Sequence, residues 1–568
     1  MTILPKTIVQ KLGSYQAPPE GRLPFARLDF NENTVGFSET FDGLDKDFPF
    51  NVYPEYGQAV RLFAEVFGVN PGNLLFTNGS DEGIAVIAST FIEPGVDTAV
   101  LSSPTFFGIT HSLSLAGAEL KQISVNPDLS FNTSAIENAL AQSPKIAMFA
   151  SPDNPTGATL DTDLILRWCK QYPNTLFAVD EAYAEYSEHS LLPFVANYDN
   201  LLVLRTFSKA WGLAGLRLGL IIGREELIGH LKVVRLPYSV NSVAISSAMR
   251  LLAERDRVQS LAKKTMERKN TLIAALRKRG YKVIEGAGNF FLLGVGFNAQ
   301  ELADYLQLRG ILVRNRSQGS SPSEHVLWGF VRVTVGSEEE NVQLLQAVDS
   351  FNSQYAVSFD LDGTLVDTSE SYDRTIDLLV KKHSGSGLNN GELMAIRMEG
   401  SFNNDWDALD EILTRRGIKV PREQLEDEAL TLYFELAKKH ERLMILPELL
   451  SSIAKRHPVF IVTGRTRIEY EPLWAKTFDS LCERVYCADD IPGALPKPAP
   501  DVLQSMLTHS NASTGVYVGN SVDDMKAAEA AGLKSIGITS TLPGQNLRNA
   551  GAQIVLESPN LLDKVFLL

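Results

Sequence analysis

Several stretches of this chain end an apolar run on residues able to do chemistry. Ser151-Pro152-Asp153-Asn154-Pro155-Thr156-Gly157 follows one run, Val179-Asp180-Glu181-Ala182-Tyr183 closes the next, and Arg205-Thr206-Phe207-Ser208-Lys209-Ala210-Trp211-Gly212 closes a third. Each has a bland use alone, since Asn-Pro-Thr-Gly makes a good turn and a single lysine is usually solvated. Together they bring a carboxylate, a phenol and an amine to successive run ends, which independent turns would not do. Upstream, Thr77-Asn78-Gly79-Ser80-Asp81-Glu82-Gly83 joins a strand-like run to a helix-like one. Capping is the commoner use of such residues, but the N–H groups of Ser80, Asp81 and Glu82 at a helix's positive end also suit a phosphate. Much later comes Phe359-Asp360-Leu361-Asp362-Gly363-Thr364-Leu365-Val366-Asp367. Two acids two residues apart usually decorate a solvated turn; here the apolar run before them and the Gly-Thr after them mark a positioned pair.

The elements that must hold these residues follow from periodicity. Between Leu74 and Gly219, short apolar runs (Leu74 to Phe76, Thr98 to Leu101, Ile146 to Ala150, Leu176 to Val179, Leu201 to Leu204) alternate with helix-like segments. That rhythm predicts a mainly parallel α/β sheet whose ligands bind at the carboxyl ends of its strands. From Ala244 a long helical stretch runs through Arg279 to the strand-like Asn289 to Val295 and Val331 to Val335, which predicts a smaller α+β lobe. After Phe351, Asn352-Ser353-Gln354-Tyr355 opens a second alternation with runs at Val459 to Val462, Val485 to Cys487, Gly515 to Val518 and Ser535 to Ile538. A polar, helical insert lies between Asp367 and Pro447 and predicts a cap over the second sheet. The expected domains are 1–351 (large lobe about 45–240, small lobe 1–44 plus 241–351) and 355–568, with the cap at about 368–446.

Length and composition agree. At roughly 150 residues per domain, 568 residues ask for three to four domains. Hydrophobic residues at 44% and charged residues at 21% are globular proportions. Lys plus Arg number 53 against 68 Asp plus Glu, a net charge of −15, the wrong sign for gripping nucleic acid or an anionic membrane. Any phosphate must therefore be held by local groups. Cys169, Cys482 and Cys487 are too few for a disulfide framework and have no nearby His partners for a metal, so they read as structural thiols in a reducing compartment. Met1 to Gln10 lacks a leader pattern and no run approaches 18 apolar residues, so the expected location is cytoplasmic.

With Gly215-Leu216-Arg217-Leu218-Gly219 added, the first set resembles the fold-type I pyridoxal-phosphate aminotransferases over residues 1 to about 351. The resemblance implies pyridoxal 5′-phosphate as cofactor. Lys209 would form the imine with its aldehyde and shuttle the proton, and Asp180 would pair with the pyridine nitrogen. Asn154 and Tyr183 would donate to the ring oxygen, Phe106 would stack on the ring, and Thr206, Ser208 and Arg217 would complete a phosphate cup with Ser80, Asp81 and Glu82. Within the superfamily the chain most resembles histidinol-phosphate aminotransferases, through Leu28-Asp29-Phe30-Asn31-Glu32-Asn33, Tyr53-Pro54, Ser80-Asp81-Glu82, Val179-Asp180-Glu181-Ala182-Tyr183 and Val331-Arg332-Val333-Thr334-Val335-Gly336. This implies a substrate side lined by Asn33, Arg332 and the helpers Arg314 and Tyr15. It also implies a homodimer in which Tyr53 reaches the cofactor phosphate of the partner subunit. Arg332 can fork onto either glutamate's carboxylate or a substrate phosphate. The family usually has Pro where this chain has Thr34, and phosphothreonine decarboxylases share most of the cofactor motifs.

Residues 355–568 resemble haloacid-dehalogenase-type hydrolases. By that resemblance Asp360 attacks phosphorus and Asp362 protonates the leaving alcohol. Thr463, in Val462-Thr463-Gly464-Arg465, would bind the phosphoryl group, and Lys497, in Pro496-Lys497-Pro498, would neutralise it. Magnesium would sit among Asp360, the Asp362 carbonyl, Asn520 and Asp524. The family generally has Asp at the position of Asn520, so this metal shell carries one carboxylate fewer, unless Asp523 or Asp524 compensates. The Asn403-Asn404-Asp405-Trp406 patch of the cap is a candidate wall for the same site or a plain cap-helix surface.

The joint expectation is a bifunctional enzyme that transaminates between histidinol phosphate and 2-oxoglutarate and removes phosphate from histidinol phosphate. The alternatives are a transaminase for another amino acid or phospho-amine beside an unrelated phosphatase, and a C-terminal half that only binds or oligomerises.

Overall fold

The computed structural model describes residues 21–22, 24–34, 51–319, 323–399 and 405–568. Tyr15, Asn403 and Asn404 lie outside them. The chain divides into two compact units, one of residues up to Arg277 plus Lys282–Leu345, the other of Lys278–Tyr281 plus Gln346–Leu568.

The first unit holds two sheets. Its strands are β1 (Ala26–Leu28), β2 (Leu74–Thr77), β3 (Thr98–Ser103), β4 (Glu119–Ser124), β5 (Ile146–Ala150), β6 (Leu176–Asp180), β7 (Leu201–Thr206), β8 (Gly219–Gly223), β9 (Lys282–Ile284), β10 (Phe290–Gly294), β11 (Ile311–Asn315) and β12 (Phe330–Thr334). The larger sheet has order β2-β8-β7-β6-β5-β3-β4 and is parallel except for β8, which runs antiparallel to both neighbours. Strands β5, β6 and β7 are buried along their whole length, as the unbroken apolar runs require when helices cover both faces. Alternate residues divide between two cores, Phe149, Phe177 and Val203 on one face and Met148, Ala178 and Leu204 on the other.

Register sets the chemistry. Ala150 pairs with Asp180 and Asp180 with Leu204, so the loops carrying Asn154, Asp180 and Lys209 leave the sheet at one edge. Gly219 on β8 pairs with both Thr77 and Thr206, which brings the N-terminus of the helix Gly79–Phe91 beside Ser208 and Arg217. Here a glycine is required: Gly79 has φ +76°, and a Cβ on it would meet Arg217 Nη2 at 2.6 Å.

The smaller sheet has order β1-β11-β12-β10-β9. The helical stretch expected from Ala244 to Arg279 is two helices, Ser242–Ala253 and Arg255–Lys278, because Glu254 (φ −105°, ψ 21°) leaves helical geometry. The first buries Ala244, Ala248 and Leu251 in a core cluster of the large sheet. The second carries Lys269, 1% exposed, whose Nζ donates to Gly286 O and Gly288 O, each at 2.7 Å. That turn touches the Asn154 loop, since Ala287 N–H donates to Gly157 O at 2.7 Å. Burial lowers the Lys269 ammonium to about 7. Between that value and its unfolded value near ~10.4, the unfolded chain binds the extra proton, so stability contributed at this site rises with pH. The expected result is a midpoint that climbs from pH 7 to 10 more in the wild type than in Lys269→Met, read by thermal denaturation of both.

The second unit contains β13 (Tyr355–Phe359), β14 (Val366–Asp367), β15 (Arg442–Leu443), β16 (Val459–Val462), β17 (Arg484–Tyr486), β18 (Thr514–Gly519), β19 (Lys534–Ile538) and β20 (Ile554–Leu556). Six form a parallel sheet of order β17-β16-β13-β18-β19-β20. Phe359 pairs with both Ile461 and Val518, so Asp360, Thr463 and Asn520 follow three adjacent strand ends. The insert is helical, with Tyr372–Ser384, Glu392–Glu399, Asp405–Arg415 and Arg422–His440 around their own core of Tyr372, Leu409, Ile412 and Tyr433. The chain enters and leaves it through β14 and β15, paired antiparallel.

Candidate functional site

In the first unit the strand ends and the helix Gly79–Phe91 enclose a cavity of about 490 Å³. Ser80, Asp81, Phe106, Asn154, Asp180, Tyr183, Thr206, Ser208, Lys209 and Arg217, all expected from the sequence, line it. Lys209 Nζ donates to Phe30 O at 3.2 Å and lies 5.7 Å from the Tyr183 ring centre. Asp180 is 3% exposed, and its one hydrogen-bond donor among the described residues is the Ala182 N–H, at 3.1 Å. Burial pushes this carboxyl up to about 7, with Asp81 adding to the rise and the Ala182 N–H and Lys209 opposing it. Arg217 donates to Asp81 Oδ2 at 2.6 Å and Ser208 Oγ at 3.4 Å.

This arrangement fits pyridoxal phosphate. A buried carboxylate with a single neutral donor suits a cationic ring N–H, a lysine amine opens into the same cavity, and an arginine, two hydroxyls and a helix N-terminus gather where a phosphate can sit.

Other expected residues stand outside the cavity wall. Glu82 turns its carboxylate back onto the Asn78 N–H at 2.5 Å and the Ser239 hydroxyl at 3.0 Å, so only its main chain can serve an anion. Asn33 donates to Ala210 O at 3.1 Å, beside Lys209. Arg332, buried, donates to Asn154 Oδ1 and Asp29 O, each at 2.5 Å, which ties the small sheet to the cavity wall. Arg314 pairs with Arg332 across β11 and β12, with its guanidinium 5.5 Å from the Phe30 ring. Tyr53 is 75% exposed and stacks on Tyr238, away from its own chain's cavity.

The sequence reading missed several neighbours. Phe30, Phe107, His111 and Ser112 also line the cavity. Asn31, fully buried at φ +54°, donates to Tyr183 OH at 2.9 Å and accepts from the Thr334 hydroxyl at 2.9 Å. Asp153, accepting from Thr105 Oγ1 at 2.6 Å and Thr156 Oγ1 at 2.8 Å, links the Phe106 and Asn154 loops. Asn31 stands in the quoted Asp29-to-Asn33 stretch and Asp153 beside Asn154, but nothing in their spacing revealed these partners.

The second unit brings its expected residues together at the strand ends. Lys497 Nζ donates to Asp360 Oδ1 and Asp524 Oδ1, each at 2.7 Å, and to Tyr517 OH at 3.0 Å. Burial works against the ammonium, but Asp360 and Asp524 hold it well above the usual lysine range. Asp362 accepts from Thr463 Oγ1 at 3.3 Å and from Arg465, which the sequence reading did not single out. A carboxylate nucleophile backed by a fixed cation, with a second carboxylate two residues on, can attack phosphorus and then serve the leaving oxygen.

Asp524, expected in the metal shell, takes protein donors at both of its oxygens. Its Oδ2 accepts from the N–H groups of Asn520 and Ser521 and from Ser521 Oγ, while Oδ1 takes Lys497, so this residue caps the helix Val522–Ala530 and anchors the lysine. Among the described residues no group of three or more His, Cys, Asp and Glu side chains is placed to hold a metal ion. The remaining donors are hard oxygens. Thr364 Oγ1 lies 3.4 Å from both Asp360 Oδ2 and Asn520 Oδ1, which turns the amide oxygen toward the nucleophile. Such a set fits a magnesium ion that keeps most of its waters. Cys487 is buried and Cys482 half-buried, both thiols pushed up to about 12 by burial, so neither is a ready ligand.

Residues 11–348 match the family model for class I and II aminotransferases, and residues 357–538 match that for haloacid dehalogenase-like hydrolases. The histidinol-phosphate aminotransferase of Geobacillus sp. (strain WCH70) is 32% identical over 337 residues, which are 58% of this chain and 90% of that protein. The histidinol-phosphate aminotransferase of Ruminiclostridium cellulolyticum is 34% identical over 301 residues, 52% of this chain and 82% of its own. Among solved structures, histidinol-phosphate aminotransferase from Sinorhizobium meliloti in complex with pyridoxal-5′-phosphate aligns with a TM-score of 0.55 at 22% identity, covering 60% of this chain and 95% of that one. L-threonine-O-3-phosphate decarboxylase from Porphyromonas gingivalis aligns with a TM-score of 0.51 at 23% identity, covering 57% and 99%. Each likeness is one of fold, and fold alone does not separate their substrates.

Proposed function

Because the chain belongs to the class I and II aminotransferases, we propose that its first site moves an amino group between histidinol phosphate and 2-oxoglutarate, while its second hydrolyses histidinol phosphate with magnesium. The observation that carries the first half is the agreement of relatives matched over 82 to 90% of their own lengths, each a histidinol-phosphate aminotransferase, with a cavity lined by an acid, a lysine, an arginine and hydroxyls that fit pyridoxal phosphate. The second half rests on the buried Asp360–Lys497–Asp524 cluster at the strand ends.

Pyridoxal phosphate, once bound in the first cavity, would supply an electron sink for the substrate's electrons. Lys209 would hold the cofactor and move the proton to and from the substrate carbon. Asp180 would keep the proton on the ring nitrogen, and Asn154 and Tyr183 would orient the ring through its oxygen. Ser80, Ser208, Thr206 and Arg217 would receive its phosphate. Arg332, already oriented by Asn154, presents its fork to the substrate's anionic group. We further read Tyr53 as reaching the cofactor phosphate of a partner subunit in a homodimer, and the protein as cytoplasmic; among the described residues no helix is long and apolar enough to cross a membrane.

In the second site Asp360 attacks phosphorus, the bond to the leaving oxygen breaks, and Asp362 supplies that oxygen's proton. Water, deprotonated by Asp362, then releases phosphate. Asp360, the Asp362 carbonyl and Asn520 would hold magnesium, which neutralises phosphoryl charge. Replacing Asn520 by Asp adds a carboxylate to this shell, and the magnesium concentration for half-maximal phosphate release should fall about tenfold. A magnesium titration of both forms checks it.

Specificity is tested by comparing histidinol phosphate with phosphothreonine and aromatic amino acids as donors. A kcat/KM for histidinol phosphate at least tenfold above the others supports the reading. Release of carbon dioxide from phosphothreonine, or preference for another amino acid, contradicts it.

A further inference from the structure

Resting on the phosphatase reading of the second unit, we infer that Arg465 is a positioning residue that sets the orientation of Asp362 and pins it to the hinge of the cap. Arg465 is 2% exposed and follows the strand end at Thr463. Its Nε and Nη2 both donate to one carboxylate oxygen, Asp362 Oδ1, at 2.9 and 2.6 Å. The other oxygen, Oδ2, takes only the longer contact from Thr463, 3.3 Å, among the described residues. The Asp362 side chain keeps 25% exposure. One oxygen is therefore an anchor and the other is left to meet the leaving oxygen of a substrate.

The far side of the guanidinium belongs to the cap. Nη1 donates to Tyr433 OH at 2.6 Å and Nη2 to Glu441 Oε1 at 3.1 Å. Glu441 is buried and accepts as well from Ser371 Oγ at 2.8 Å, Tyr433 OH at 3.1 Å and Trp474 Nε1 at 2.6 Å. It directly precedes β15, the strand by which the chain leaves the cap, and Asp362 lies four residues before β14, by which it enters. The guanidinium thus spans the two legs of the hinge. A planar fork can serve these three acceptors in fixed directions, which a lysine's point charge cannot. Any movement of the cap on its hinge pulls on the same cation that aims the second aspartate, so cap position and leaving-group contact are coupled through this one side chain.

The test compares hydrolysis by the full chain with magnesium of two monoesters. Histidinol phosphate has an alkyl leaving oxygen that must gain a proton, while p-nitrophenyl phosphate has a leaving oxygen that departs without one. Arg465→Lys should lower the rate of the first step, read as single-turnover release of the alcohol, by about a hundredfold for histidinol phosphate and by less than about fivefold for p-nitrophenyl phosphate, whereas the second step, in which Asp362 deprotonates water whichever ester was cleaved, slows alike for both. Glu441→Gln should show the same pattern more weakly. Retained single-turnover release of p-nitrophenolate also shows that the variant folds. Equal losses of the first step on both esters would mean that Arg465 is a strut for the fold, and unchanged first-step rates on both would mean that it does not aim Asp362; either result overturns the inference. If the wild type releases phosphate from neither ester, the phosphatase reading itself falls, an outcome distinct from both.

Discussion

Lys209→Ala should abolish the visible absorption band of the lysine-bound cofactor and lower amino-group transfer by about 10⁴-fold or more, since one change removes both the covalent attachment and the proton carrier. Among the described residues the cavity lining holds one lysine, and its arginine, Arg217, lies with Asp81 and Ser208 where the phosphate is expected. Phosphate release by the same preparation should be unchanged, because Lys209 belongs to the first unit and Asp360 to the second. Persistence of the visible band in Lys209→Ala would refute the assignment of the lysine.

Asp360→Asn is the mirror experiment. It keeps the size and most hydrogen bonds of the side chain but removes the nucleophilic oxygen and the charge that Lys497 faces at 2.7 Å. Phosphate release should fall by about 10³-fold or more, and glutamate formation should stay at the wild-type rate. The lysine remains paired with Asp524, so the loss should come from chemistry with little change in folding. Thermal denaturation alongside phosphate release measures both. Phosphate release that survives at wild-type rate would show that Asp360 is not the nucleophile.

The sheets were legible because their central strands are continuous apolar runs ending in polar residues, and burial on both faces leaves no other pattern for β5, β6 and β7. The same runs pointed to Asp180 and Asp360, which end or directly follow them, and to Asn154 and Lys209 a few residues beyond. Direction was less visible. Strand β8 reads like its neighbours, yet its antiparallel course places Arg217 next to Gly79. Least legible were side chains whose role depends on partners distant in sequence. Asn31 meets Tyr183 and Thr334, and Arg465 meets Asp362 and Glu441. Asp524 was expected in the metal shell from the family resemblance, and its capping box with Ser521 and its lysine contact were not visible in the sequence. Glu82 was expected at the phosphate through its main-chain N–H, and what the sequence did not reveal is that its carboxylate turns back onto the Asn78 N–H.

The central claim is that one chain performs both steps on one metabolite. The most direct test incubates the full chain, loaded with pyridoxal phosphate, with histidinol phosphate, 2-oxoglutarate and magnesium, and follows glutamate and inorganic phosphate in the same reaction. Both should appear, with glutamate lost in Lys209→Ala and phosphate lost in Asp360→Asn. No glutamate from histidinol phosphate, or glutamate with no phosphate at any magnesium concentration, would contradict it.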